Sequence, residues 1–205
     1  MAHLDTVKVN QTEYSLYSTY KLPLQISSGA LSILIRLGYL MQFASQDMSH
    51  YFKKENLTAL FGLIIIFCAM VSSILVSRCF SRTKHSHKII AGTILRTISY
   101  TLVFVSYTIK DLEKGFWINI VGSAFFGCCC CVDHTVFVGY LKSLPPYCYK
   151  AYASAEGFSG FFTVIFYLVM KYFGINVGKV FLIFLPTNLL ILALFFWIDY
   201  TKDHV

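Results

Sequence analysis

The chain has 205 residues, of which 57% are hydrophobic and only 13% charged, with a net charge of +7. A water-soluble domain carries roughly a quarter charged residues, so this composition excludes a soluble fold of this size. The basic excess falls in short loops between apolar runs rather than on one polar surface, which points to membrane orientation and away from nucleic-acid binding.

An apolar run long enough to cross ~30 Å of hydrocarbon needs ~20 residues, and six such runs are present. Residues 1–21 form a polar tail of mixed charge, read as a cytosolic extension rather than a cleavable signal. The first predicted span covers Leu22–Ala44 and carries Arg36. The second covers Leu57–Val76 and the third, Ile89–Ile109, carries Arg96. The fourth, Trp117–Tyr140, contains the run Cys128–Cys131 followed by Asp133 and His134. The fifth, Ser154–Tyr172, begins near Glu156, and the sixth covers Val177–Tyr200, leaving residues 201–205 as a short tail. The fold class is therefore all-α: a polytopic bundle of about six transmembrane helices over residues 22–200, with short loops that make consecutive helices antiparallel neighbours.

The loops alternate in charge. Nine Lys and Arg lie on the side of both termini and six on the other, which predicts cytosolic N- and C-termini. The sequon Asn56-Leu57-Thr58 then falls in a lumenal loop and is a possible glycosylation site, whereas Asn10-Gln11-Thr12 lies in the cytosolic tail.

Ionisable groups inside a membrane are costly and often functional. Arg36, Arg96, Asp133, His134 and Glu156 are the candidates for a substrate or proton pathway. Asp beside His suits proton coupling, because imidazole titrates near neutrality. The alternative is a structural ion pair, for example Arg96 with Asp133. Gly157, Ser159 and Gly160 beside Glu156 are small enough to let a neighbouring helix approach closely. Pro145-Pro146 breaks the chain, and with Tyr147, Tyr149, Lys150 and Tyr152 it reads as a basic, aromatic interfacial loop. The turn Arg78–Lys88 is read as a cytosolic retention signal. The seven Cys lack zinc-type spacing, and the four consecutive ones, Cys128–Cys131, read mid-helix as small hydrophobes. His85 and His87 have no further converging ligands, so no metal or other cofactor is expected. An enzyme is not expected either, since Asp133-His134 alone supplies no nucleophile with its base.

The stretch from Pro145 to Phe162 resembles battenin, a lysosomal and vacuolar family of the major-facilitator superfamily. There a Pro after span four is followed by aromatics and a Ser–Gly-rich run opening span five. Pro145, Tyr152, Ser154, Gly157, Ser159, Gly160 and Phe161 fall at that spacing. Tyr39–Met48 resembles the end of the family's first span, with Asp47 as the matching acid. The paired Asn of that span are absent, the Gly-rich run has fewer Gly, and the family's span-four acid falls near Asp133 or His134. The likeness extends over the family's N-terminal half only. It implies solute transport or lumenal pH homeostasis in an endolysosomal or vacuolar membrane. Membrane lipid, an unidentified small solute and a homodimer or second transporter half are the implied partners. Equilibrative nucleoside transporters share the Ser159-Gly160-Phe161-Phe162 cadence, so another major-facilitator half remains open, as does a non-transporting membrane scaffold.

Overall fold

The computed structural model describes residues 20–202, the Cys131 side chain excepted. The expectations placed on residues 1–19 and 203–205, including the Asn10 sequon, lie outside the described residues. Seven helices are used below: α1 (Tyr20–Phe43), α2 (Ser45–Tyr51), α3 (Thr58–Arg78), α4 (His85–Ser106), α5 (Leu112–Leu141), α6 (Pro146–Tyr172) and α7 (Val177–Lys202). All but the short α2 are long and apolar enough to cross a membrane, with α3 extended by a turn at Glu55–Leu57. No strand occurs among the described residues. The protein is an integral membrane protein built of apolar helices.

The element ends have local causes. The Asp111 side chain accepts from the backbone N–H of Glu113 and Lys114 at 3.1 and 3.3 Å, capping α5. That starts the helix five residues before the apolar run does. Pro146 opens α6, where a missing N–H costs nothing and φ is already helical. The interfacial loop expected at Pro145–Tyr152 is thus the first two turns of α6, and Tyr152 is buried rather than interfacial. Gly174, at φ +68°, ends α6; its N–H donates to the Lys171 carbonyl at 2.9 Å, and Ile175 N–H to Met170 at 3.0 Å.

α5 is the central helix, with 65% of its apolar stretch buried, whereas α3 and α6 bury 17% each and flank the bundle. α5 packs on α3 and α4, α4 packs on α7, and α6 leans on α1. Glycines set the close crossings. A methyl on Gly127 would stand 3.0 Å from the Ile65 Cα, and one on Gly122 would stand 3.3 Å from the Ser99 carbonyl. Ser99 Oγ donates to the Gly122 carbonyl at 2.8 Å across the same seam.

The core is in two parts. One apolar cluster gathers Leu40, Phe52, Phe61, Tyr100, Phe126 and Phe181. The other gathers Leu31, Ile89, Phe137, Tyr152, Ile191 and Phe195. Between them, at matching levels along successive helices, lie Arg36, Ser72, Arg96, Asp133, Glu156 and Asn188. The bundle carries a polar layer between two apolar halves.

Candidate functional site

Arg96 lies about 15 Å from either end of α4, at 1.5 Å per residue, so the polar layer sits at mid-membrane. It divides into a sealed part and a reachable part.

The sealed part is Arg96 with Asp133. The guanidinium Nη2 donates to Asp133 Oδ2, and each side chain is only 1% exposed. Gly92 makes this possible: a Cβ there would overlap Asp133 Oδ1. Arg96 Nε and Nη1 and Asp133 Oδ1 have no protein partner. A short distance away, Asn188 Nδ2 donates to Thr97 Oγ1 at 2.9 Å, tying α7 to α4. Pro186, two residues earlier, interrupts the α7 hydrogen-bond ladder beside it.

The reachable part is Arg36, His134 and Glu156. A 3-10 turn at Leu37–Tyr39 interrupts α1 immediately after Arg36. Gly38 sits in this turn because a side chain would strike the Phe126 ring and come within 3.0 Å of the Tyr100 hydroxyl. The turn swings Tyr39 back over Arg36, whose Nη1 donates to the Tyr39 hydroxyl. Arg36 Nη2 is ion-paired with Glu156 Oε1 on α6 and lies 3.1 Å from His134 Nδ1 on α5. A guanidinium only donates, so Nδ1 accepts and a neutral His134 carries its proton on Nε2. His134 Nδ1 and Glu156 Oε1 are 3.9 Å apart. Side-chain exposure is 14% for Arg36, 41% for His134 and 32% for Glu156. An open cleft of about 250 Å³ between α1, α3 and α5 is lined by Tyr39, Gln42, Cys130 and His134 on its polar side and by Ile65 and Met70 opposite.

The expected pathway residues thus fall into two groups, Arg96 with Asp133 and Arg36 with His134 and Glu156. Tyr39 was not anticipated, because nothing in the residue pattern announces the 3-10 turn that brings it round. The small residues of α6 divide between two faces. Ser159 is buried, but Gly157 and Gly160 have nothing within 4 Å of a would-be Cβ. They lie on the exposed face of α6, beside Phe158 and Phe161. α6 faces α1 near Gly29, where a Cβ would stand in ordinary contact with the Ala155 methyl at 3.6 Å. Asn56 is exposed in the turn before α3. Of the Cys run, Cys129 and Cys130 are buried. Among the described residues no three His, Cys, Asp or Glu side chains converge as metal ligands.

A second polar cluster lies at the end of the bundle opposite Tyr20 and Lys202. Asp47 on α2 accepts from the Tyr167 hydroxyl and from Lys171 Nζ at 2.9–3.0 Å, clamping α2 to the end of α6. Burial raises the Asp47 carboxyl, but the Tyr167 and Lys171 bonds outweigh it and hold the carboxyl below the usual carboxylate range. An open cleft of about 310 Å³ beside it is lined by Tyr51, Tyr107 and Asn176 as well. The acid of the Tyr39–Met48 stretch is therefore a tertiary clamp.

No protein-family model matches the chain, and no curated protein matches it.

Proposed function

We propose that this is a battenin-like membrane protein of a lysosomal, vacuolar or other endomembrane compartment, working in solute transport or lumenal pH homeostasis, with Arg36, His134 and Glu156 on the solute or proton path. One observation carries the reading: a mid-membrane layer of ionisable side chains is divided so that one ion pair is sealed while the other three groups remain reachable. Transporters place substrate and coupling-ion groups at this depth. A structural pair needs no exposure, and a charge at the lipid surface is costly, so the exposed side of this cluster is best accounted for by a water-filled path. On this reading Arg96 and Asp133 position α4 and α5, and the end holding Tyr20 and Lys202 faces the cytosol.

The test is flux in proteoliposomes, with a lumenal pH dye and a panel of labelled solutes. Glu156→Gln and His134→Gln are expected to abolish gradient-dependent flux while leaving thermal unfolding close to wild type, because both side chains are partly exposed. Unchanged flux in both variants would remove these residues from the path.

A second reading, a non-transporting scaffold, is favoured by the exposed face of α6. Gly157, Phe158, Gly160 and Phe161 form a small-and-aromatic surface that a second bundle could cover. It predicts that Phe158→Ala and Phe161→Ala alter assembly on native gels and that Glu156→Gln has no phenotype.

A further inference from the structure

We propose that Arg36 is the recognition point for a small oxyanion, and that the anion and the Glu156 carboxylate compete for its guanidinium, so that each anion bound takes up one proton. The inference rests on the transport reading and adds to it a substrate class and a coupling rule.

At Arg36, Nη1 is bonded to the Tyr39 hydroxyl, and the Nε–Nη2 edge is only half used. Glu156 engages it through one oxygen, Oε1, at Nη2. The same Nη2 also meets His134 Nδ1 at 3.1 Å, while Nε is desolvated and has no partner. A guanidinium presents paired N–H groups that match a carboxylate or a tetrahedral oxyanion through two parallel bonds. Here one edge is crowded and its Nε is left over. Arg96 is different, being sealed against Asp133 at 1% exposure on both sides. The cleft that reaches Tyr39 and His134 measures about 250 Å³. That is below the usual ~300–1,000 Å³ of drug-sized sites; the cleft reaches the Tyr39 and His134 that contact Arg36 and is not lined by Arg36 itself.

Charge sets the coupling. Arg36 and Glu156 cancel each other, as do Arg96 and Asp133. An added anion would leave one uncompensated negative charge in a layer bounded by apolar cores. A proton from water onto Glu156 restores neutrality and releases Arg36 in the same step. The charged and titratable groups that meet Glu156 are Arg36 from α1 and His134 from α5; around Arg36 stand Tyr39 on α1, Cys130 on α5 and Tyr152 on α6, with Asp133 of α5 and Arg96 of α4 beyond them. Asp133 is committed to Arg96. His134 already accepts from Arg36, and protonating Nδ1 would oppose that contact, so Glu156 is the group that takes the proton.

The test is calorimetric titration of the purified full chain in nanodiscs with the monoanions acetate and, separately, formate, between about pH 8 and pH 6, repeated in buffers of different ionisation enthalpy. One linked proton makes affinity rise by about tenfold for each pH unit lowered. Wild type is expected to show that slope and an uptake of one proton per anion. Glu156→Gln is expected to bind as tightly at high pH as wild type does at low pH, with the slope gone. His134→Gln is expected to keep the slope, and Arg36→Gln to lose binding. Binding with no proton uptake in wild type, or a slope that survives Glu156→Gln and disappears in His134→Gln, would overturn the proposal; both are read on protein shown to be folded by its melting transition. Flux of a neutral or cationic solute without any acetate or formate binding would refute the anion site and leave the transport reading standing. Absence of flux for every solute would refute the reading itself.

Discussion

Replacing Asp133 by Asn tests how the polar layer is held together. The substitution keeps the side chain's shape and removes its charge. Arg96 is then a guanidinium at 1% exposure, about 15 Å from either end of its helix. Two of its three nitrogens already lack a protein partner. Leaving a buried charge without its counter-ion costs about 3–5 kcal/mol. At roughly 2–4 °C per kcal/mol for a chain of this length, that is a fall in Tm of roughly 6–20 °C. The intact pair is itself worth little, because each unsatisfied buried polar atom costs about 1–3 kcal/mol, and Arg96 Nε, Nη1 and Asp133 Oδ1 are three such atoms. The double variant Arg96→Met with Asp133→Ala is therefore expected within about 2 kcal/mol of wild type, well above either single charge-removing variant. Thermal unfolding of wild type, Arg96→Met, Asp133→Ala and the double variant in one detergent closes the cycle, with Asp133→Asn measured beside them. The reasoning fails if Asp133→Asn costs under about 1 kcal/mol, or if the two single losses simply add in the double variant.

Three further outcomes follow from the packing, the clamp and the topology. Gly127→Ala is expected to destabilise by roughly 1–3 kcal/mol, because its methyl would press on the Ile65 backbone, while Gly160→Ala on the open face of α6 is expected to be neutral or to stabilise by up to about 1 kcal/mol; thermal unfolding compares them. Asp47→Asn is expected to weaken the clamp of α2 to α6. Because the folded Asp47 carboxyl sits below its ordinary value, the clamp is present above the usual Asp range and is lost only as pH falls through the lower folded value, so the difference between wild type and Asp47→Asn is expected to stay flat from about pH 8 to about pH 5 and then close. Exchange protection of α2 read against pH measures this, and a difference that closes near neutrality would assign the clamp to His50 instead. Native Cys79, exposed in the turn between α3 and α4, is expected to react with a membrane-impermeant maleimide only after sealed vesicles with the lumenal face outward are opened. Asn56→Cys in a Cys79→Ser background is expected to react before opening; the reverse pattern would invert the assigned orientation.

The element ends show how far local chemistry reaches. Asp111 as a side-chain cap, Pro146 at a first helical turn and Gly174 at a left-handed end are all readable signals. The apolar-run boundaries missed two of them because a hydropathy window sees transfer energy and not hydrogen-bond geometry. Which way the α6 stripe faces was unreadable for a related reason. Small residues permit a close approach but do not say which face a helix turns to its neighbour. Tyr39 and the Asp47–Tyr167–Lys171 clamp could not be read at all, since each depends on groups brought together by packing.

Six spans, the absence of a soluble surface and the presence of mid-membrane charges follow from the order of apolar and ionisable residues alone, because each helix must satisfy the bilayer by itself. Which charge faces which was decided only by the tertiary structure. Arg96 and Asp133 meet because Gly92, Gly122 and Gly127 let α5 settle against α4 and α3. Arg36 is left to Glu156 and His134 because α6 packs only lightly on the bundle, burying 17% of its apolar stretch, and leaves that side of the layer partly open. The difference between a sealed pair and a reachable one is a difference in helix separation, and helix separation is a property of the assembled bundle.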